Sequence, residues 1–175
     1  MIENKSAKVV WFTGLSGSGK TTLSKKLMKK LLDRKFKVKI IDGDTFRKKN
    51  KTKKKFTKKN IKENNLSVIK YVDKIKFNFD YILVALISPL LVTRNIAKKK
   101  FKKKYYEIYL KCNLNKLIKR DTKGLYKLAK DSKLKNLIGF KSKINYEVSN
   151  YKKIVINTDR LTINNSLKKV YSQIL

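Results

Sequence analysis

At 175 residues, with 41% hydrophobic content, six glycines and one proline, the chain can bury an ordinary core without cross-links, which excludes a globally disordered or collagen-like polypeptide. A formal charge of +35, no histidine and a single cysteine, Cys112, exclude an internal disulfide, a multi-cysteine zinc site and histidine acid–base chemistry. Only five of the 47 basic residues are arginine, so the lysine excess reads as solvated surface and nucleic acid as an unlikely partner, while its field steers anionic substrates inward.

In chain order, short apolar runs alternate with longer helical patterns. Strands are expected at 9–13, 38–42, 81–87, 106–110 and 153–157. Between them Leu23, Leu27 and Leu31 recur every fourth residue, Leu66, Ile69, Val72 and Ile75 every third, and Ile163, Leu167, Val170, Tyr171 and Ile174 mark one face of a final helix. This alternation predicts an α/β fold with a central five-stranded parallel sheet, layered by helices on both faces. No linker divides the chain, so residues 1–175 read as a single domain. The polar connection at 121–143 reads as a mobile lid, and 48–59 and 98–104 as lysine-rich surface. The N-terminus has no signal-peptide layout and "YILVALISPLLV" is too short to span a bilayer; the expected location is the cytoplasm.

The first strand runs into "GLSGSGKT", which satisfies G-x-x-x-x-G-K-[ST] with a strand before it and an amphipathic helix after it. In such a loop the backbone N–H groups of Gly14, Leu15, Ser16, Gly17, Ser18, Gly19, Lys20, Thr21 and Thr22 curl around phosphate oxygens at a helix N-terminus. Lys20 reaches the β and γ phosphates, and the Thr21 hydroxyl ligates Mg²⁺. ATP and Mg²⁺ follow from this pattern. The second strand ends in "IIDGDTFR", which puts Asp42 and Asp44 at the carboxyl edge of the sheet, where open α/β sheets bind ligands. One acid can orient the metal or its waters and the other can accept the proton of an attacking hydroxyl; Arg47 can clamp an anionic acceptor. Cys112 reads as strand-end packing.

These blocks, with "FTKKNIKENN", "LISPLLVTR", "YYEIYL" and "RDTKGLYKLA", resemble the adenylylsulfate kinases, P-loop enzymes that phosphorylate the 3′-hydroxyl of adenosine 5′-phosphosulfate, over nearly the whole chain. The resemblance implies a P-loop kinase-type three-layer sandwich and a homodimer. It makes Asp44 the proton acceptor and places Asp42, Arg47, Phe56, Asn64 and Ile87 around the nucleotide sulfate. It also sets Arg120, Lys123, Gly124 and Leu125 on the lid, with Arg120 toward ATP and Lys123 between the two nucleotides. A phosphoserine intermediate is associated with the position of Ser88 in the family. In "SPLLVTR", however, the Ser-Pro pair reads as an N-cap and first helical position, and direct transfer needs no covalent stop. The chain departs from the family where three arginines are replaced, by Ile61, Leu66 and Ser67, and where Leu137 and Lys141 replace a lid phenylalanine and aspartate; these changes are expected to gather on the acceptor side and to leave the ATP side intact. Two readings stay open beside the first. One is a kinase of another nucleotide-like diphosphate, such as a phosphoramidate nucleotide of surface-polysaccharide modification. The other is a basic nucleic-acid-binding relative without kinase activity.

Overall fold

The computed structural model describes residues 6–49 and 57–175. Strand β1 (Lys8–Thr13) feeds the glycine loop and helix α1 (Lys20–Leu32); β2 (Val38–Asp42) feeds the short α2 (Gly43–Lys49). Next come α3 (Lys58–Ile75), β3 (Tyr81–Ala85), α4 (Leu91–Phe101) and β4 (Tyr105–Lys111). Helices α5 (Leu114–Arg120) and α6 (Leu125–Lys130), strand β5 (Ile154–Asn157) and α7 (Ile163–Ile174) complete the order. The strands form one sheet in the order β2-β3-β1-β4-β5, every neighbouring pair parallel.

Alternation along β1 assigns the two faces. Val10 and Phe12 pack with Leu23, Leu27 and Leu31 of α1 and with Val170 and Ile174 of α7. Val9 and Trp11 face the other way, against Val68, Ile69 and Val72 of α3 and Ala97 of α4. A residue that alternates in a strand meets one recurring every third or fourth place in a helix, so each apolar stripe finds a partner and a three-layer sandwich results. The expected strand 81–87 stops at Ala85, leaving 86–90 as an irregular wall beside the site.

The expected polar connection at 121–143 contains α6 and a small core of its own, with Tyr126, Ala129 and Leu137 buried against Leu117. Tyr126 donates its hydroxyl proton to the carbonyl of Ser16 at 3.0 Å, which ties this segment to the glycine loop. No helix among the described residues is long and apolar enough to cross a membrane.

Candidate active site

Because β1 and β2 are parallel in one sheet, their C-terminal ends deliver the glycine loop and the Asp42–Asp44 turn to the same edge. Gly14 has φ +139°, and a Cβ there would stand 2.6 Å from the Leu110 carbonyl oxygen; only glycine lets the loop leave the strand at that point. Gly43 answers to packing instead, since its Cβ would lie 2.5 Å from Leu86. Helix α1 begins after Gly19 with no side-chain cap, so its first backbone donors point toward the loop's concavity, where phosphate oxygens can accept them.

Two cavities share Asp42, Arg47, Leu86 and Ile87 as common lining. The first, about 650 Å³, is lined by residues 16–22 with Asp42, Asp44, Arg47, Arg120, Lys123 and Leu125. The second, about 800 Å³, lies against α2 and α3 and takes in Asn60, Ile61, Asn64 and Ser67 with Ile87 and Ser88. The expected loop, acids, arginines and lid lysine therefore converge on one space, and Asn64 and Ile87 line the adjoining one. Gly14, Leu15 and Gly124 line neither cavity. Gly124 begins α6 with φ +64°, while Gly14 and Leu15 turn their carbonyls to Lys20. Phe56 lies outside the described residues.

The electrostatics follow from this convergence. Lys20 Nζ donates to the carbonyls of Gly14 (2.9 Å) and Leu15 (2.7 Å). Burial, and then the neighbouring Lys123 charge, bring its pKa down to about 7. Thr21 donates to Asp42 Oδ2 at 2.7 Å, while Asp42 Oδ1 accepts the backbone N–H of Asp44 at 3.0 Å and so starts α2. Hydroxyl and carboxylate side by side are hard oxygen donors of the kind Mg²⁺ takes together with substrate phosphates, so these residues fit that ion. Asp44 pairs with Lys123 Nζ at 2.5 Å and with the Arg47 guanidinium. Partial burial pushes the Asp44 carboxyl up, but the two cations outweigh it and hold it below the usual range.

Three expectations are corrected. Ser88 is not a helix cap: α4 starts at Leu91 with Leu90 as its capping residue, and the Leu91 N–H is accepted by the Glu147 carboxylate at 2.5 Å. Ser88 itself is buried, with its hydroxyl accepting from Trp11 Nε1 at 3.0 Å. Leu137, placed with the acceptor-side departures by sequence, lines the phosphate-loop cavity. Of the three residues at arginine positions, Ile61 and Ser67 line the second cavity, but Leu66 packs into the core beneath α3.

Sequence reasoning missed the far wall of the first cavity, formed by Thr158, Leu161, Thr162 and Ile163 where β5 runs into α7. It also missed Lys39, half-buried on the second cavity's wall. The available signal was a lysine in the apolar run "VKIID", on the same side of the strand as buried Ile41.

The family model for adenylylsulphate kinase matches residues 6–157. The chain belongs to the adenylylsulphate kinase family. It is 34% identical over 152 residues to a probable adenylyl-sulfate kinase of Archaeoglobus fulgidus, covering 87% of this chain and 96% of that one. It is 35% identical over 159 residues to an adenylyl-sulfate kinase of Clostridium acetobutylicum, covering 90% and 78%. Among solved structures, the APS kinase of Mycobacterium tuberculosis in complex with AMPPNP and APS superposes with a TM-score of 0.87 at 28% identity, covering 95% and 96%. The adenylylsulphate kinase fold thus spans nearly all of the chain.

Proposed function

We propose that the protein transfers the γ-phosphoryl group of ATP to the 3′-hydroxyl of adenosine 5′-phosphosulfate, giving 3′-phosphoadenylyl sulfate and ADP. The observation that carries this reading is the convergence of Lys20, Thr21 and Asp44 on one cavity that adjoins a second of nucleotide size. ATP occupies the first cavity, its phosphates on the loop and α1, its base toward Arg120 and the Thr158–Ile163 wall. The acceptor occupies the second, with its 3′-hydroxyl directed at the shared boundary.

Transfer is direct. The acceptor oxygen attacks the γ-phosphorus, the bond from that phosphorus to the β-bridging oxygen breaks, ADP leaves, and the hydroxyl proton passes to Asp44. Thr21 and Asp42 would hold Mg²⁺, which supplies charge neutralisation between the β and γ phosphates. While Lys123 is bonded to Asp44 the carboxylate is a poor proton acceptor. Turning Lys123 toward phosphate oxygens, as the lid segment 121–143 closes, both removes one of the two cations paired with Asp44, leaving Arg47, and neutralises charge developing between the nucleotides. Lys39, Arg47 and Lys49 supply positive charge around the acceptor cavity, whose α3 wall offers Ile61 and Ser67. A homodimer in the cytoplasm is the form proposed for the working enzyme.

Comparing wild type with Asp44→Asn tests the assignment. Wild type releases ADP and phosphorylated acceptor in equal amounts. The variant keeps its ATP affinity but turns over about 10²- to 10⁴-fold more slowly. Undiminished turnover by the variant would remove Asp44 from the reaction.

A further inference from the structure

The wall between the two cavities is the segment 86–90, with Leu86 and Ile87 facing both. Its backbone is held in a conformation serine does not choose for itself, since Ser88 has φ +44°. Strain of that kind persists only where surroundings over-determine it, and here they do. Trp11 Nε1 donates to the Ser88 hydroxyl, the Arg94 guanidinium donates to the Ser88 carbonyl, and Thr13 donates to the Ile87 carbonyl at 2.6 Å.

Thr13 immediately precedes the phosphate loop, and it has a second partner, the Tyr146 hydroxyl at 2.9 Å. A threonine hydroxyl carries one proton, and a carbonyl can only accept. With that proton given to Ile87, the bond to Tyr146 must be donated by Tyr146. The tyrosine is itself fixed, its ring stacked on Tyr109 at 5.0 Å and 8° and lying 4.9 Å from the Arg94 guanidinium. It belongs to the stretch that follows the lid. There Glu147 and Ser149 are also bound, Glu147 to the start of α4 and Ser149 to Arg94 and Glu107.

We infer that Tyr146 is a positioning residue. It acts through Thr13 to hold Ile87, and with it the acceptor-facing wall, in register with the phosphate loop, so that the stretch after the lid helps to set acceptor geometry. The inference rests on the kinase reading for what the wall separates, but the hydrogen-bond chain exists independently of which nucleotide is the acceptor.

The test uses Tyr146→Phe, which keeps the ring stack and deletes one O–H, together with Thr13→Val, Thr13→Ser and the Thr13→Val/Tyr146→Phe double variant. Tyr146→Phe is expected to raise the KM for adenylylsulfate roughly 3- to 10-fold while ATP affinity stays within about twofold. Thr13→Ser behaves as wild type. The double variant is no worse than Thr13→Val alone, because both act on one chain of bonds. Amide exchange at Ile87 and Ser88, followed in the same proteins, is faster in Tyr146→Phe. A wild type that does not phosphorylate adenylylsulfate would defeat the kinase reading, and the exchange comparison would still decide the inference. Unchanged exchange in Tyr146→Phe overturns it. So does an equal loss of affinity for both nucleotides, or additive effects of the two substitutions.

Discussion

Lys20 shows how far a single side chain's chemistry can be taken from its surroundings. Its ammonium is stripped of water and satisfied by two loop carbonyls, which places its pKa at about 7. Phosphate oxygens brought against it favour the charged form and raise that value. At pH 8 the group is mostly neutral, so ATP binding should take up close to one proton. Calorimetry in buffers of different ionisation enthalpy measures the uptake, and Lys20→Met should abolish it; equal uptake by both proteins would refute the shift. The sign for stability follows too. Between pH 7 and 10.5 the unfolded chain holds a proton that the folded chain lacks, so this residue's contribution to stability rises with pH across that window. The loop and both acids were legible in the sequence because their chemistry lies in contiguous residues at fixed spacing. Ser88 was not, because a Ser-Pro pair signals a cap by local preference, and Trp11, Arg94 and Thr13 override that preference from other elements.

At the scale of elements, the longer helices were legible because thirteen residues in α1 and eighteen in α3 give several turns of apolar period. Helices α2, α5 and α6, at six or seven residues, are too short to show one. The stretch 144–151 was likewise illegible, since what orders it is the buried pair of Arg94 on α4 and Glu107 on β4, thirteen positions apart and 3.4 Å between charged atoms. Glu107 also accepts hydroxyl protons from Ser149 and Tyr151, so one carboxylate anchors a strand, a helix and the segment behind the site. Removing its charge leaves a guanidinium buried without compensation. Glu107→Gln should lower stability by about 3–5 kcal/mol, read by denaturant titration; a loss under about 1 kcal/mol would show that the pair does not hold these elements together.

For the whole molecule, fold class followed from strand–helix alternation, and the parallel sheet in the order β2-β3-β1-β4-β5 delivers the glycine loop and the Asp42–Asp44 turn to one edge. The charge of +35 is a property of this same scale. It acts on every anionic substrate, and at about 0.1 M salt the field is screened beyond roughly 10 Å. Raising ionic strength should therefore lower kcat/KM for the acceptor while leaving kcat nearly constant; a flat kcat/KM would mean the surface lysines play no part in capture. The acceptor's identity is the claim on which the rest turns, because Ile61 and Ser67 remake one wall of its cavity. The most direct measurement incubates the purified protein and ATP–Mg²⁺ with adenylylsulfate, and separately with a panel of other nucleotides, and locates the transferred phosphoryl by phosphorus NMR. The expected result is a new phosphomonoester on the 3′ oxygen of adenylylsulfate, matched mole for mole by ADP. A phosphorylated product from another nucleotide, with none from adenylylsulfate, would contradict it.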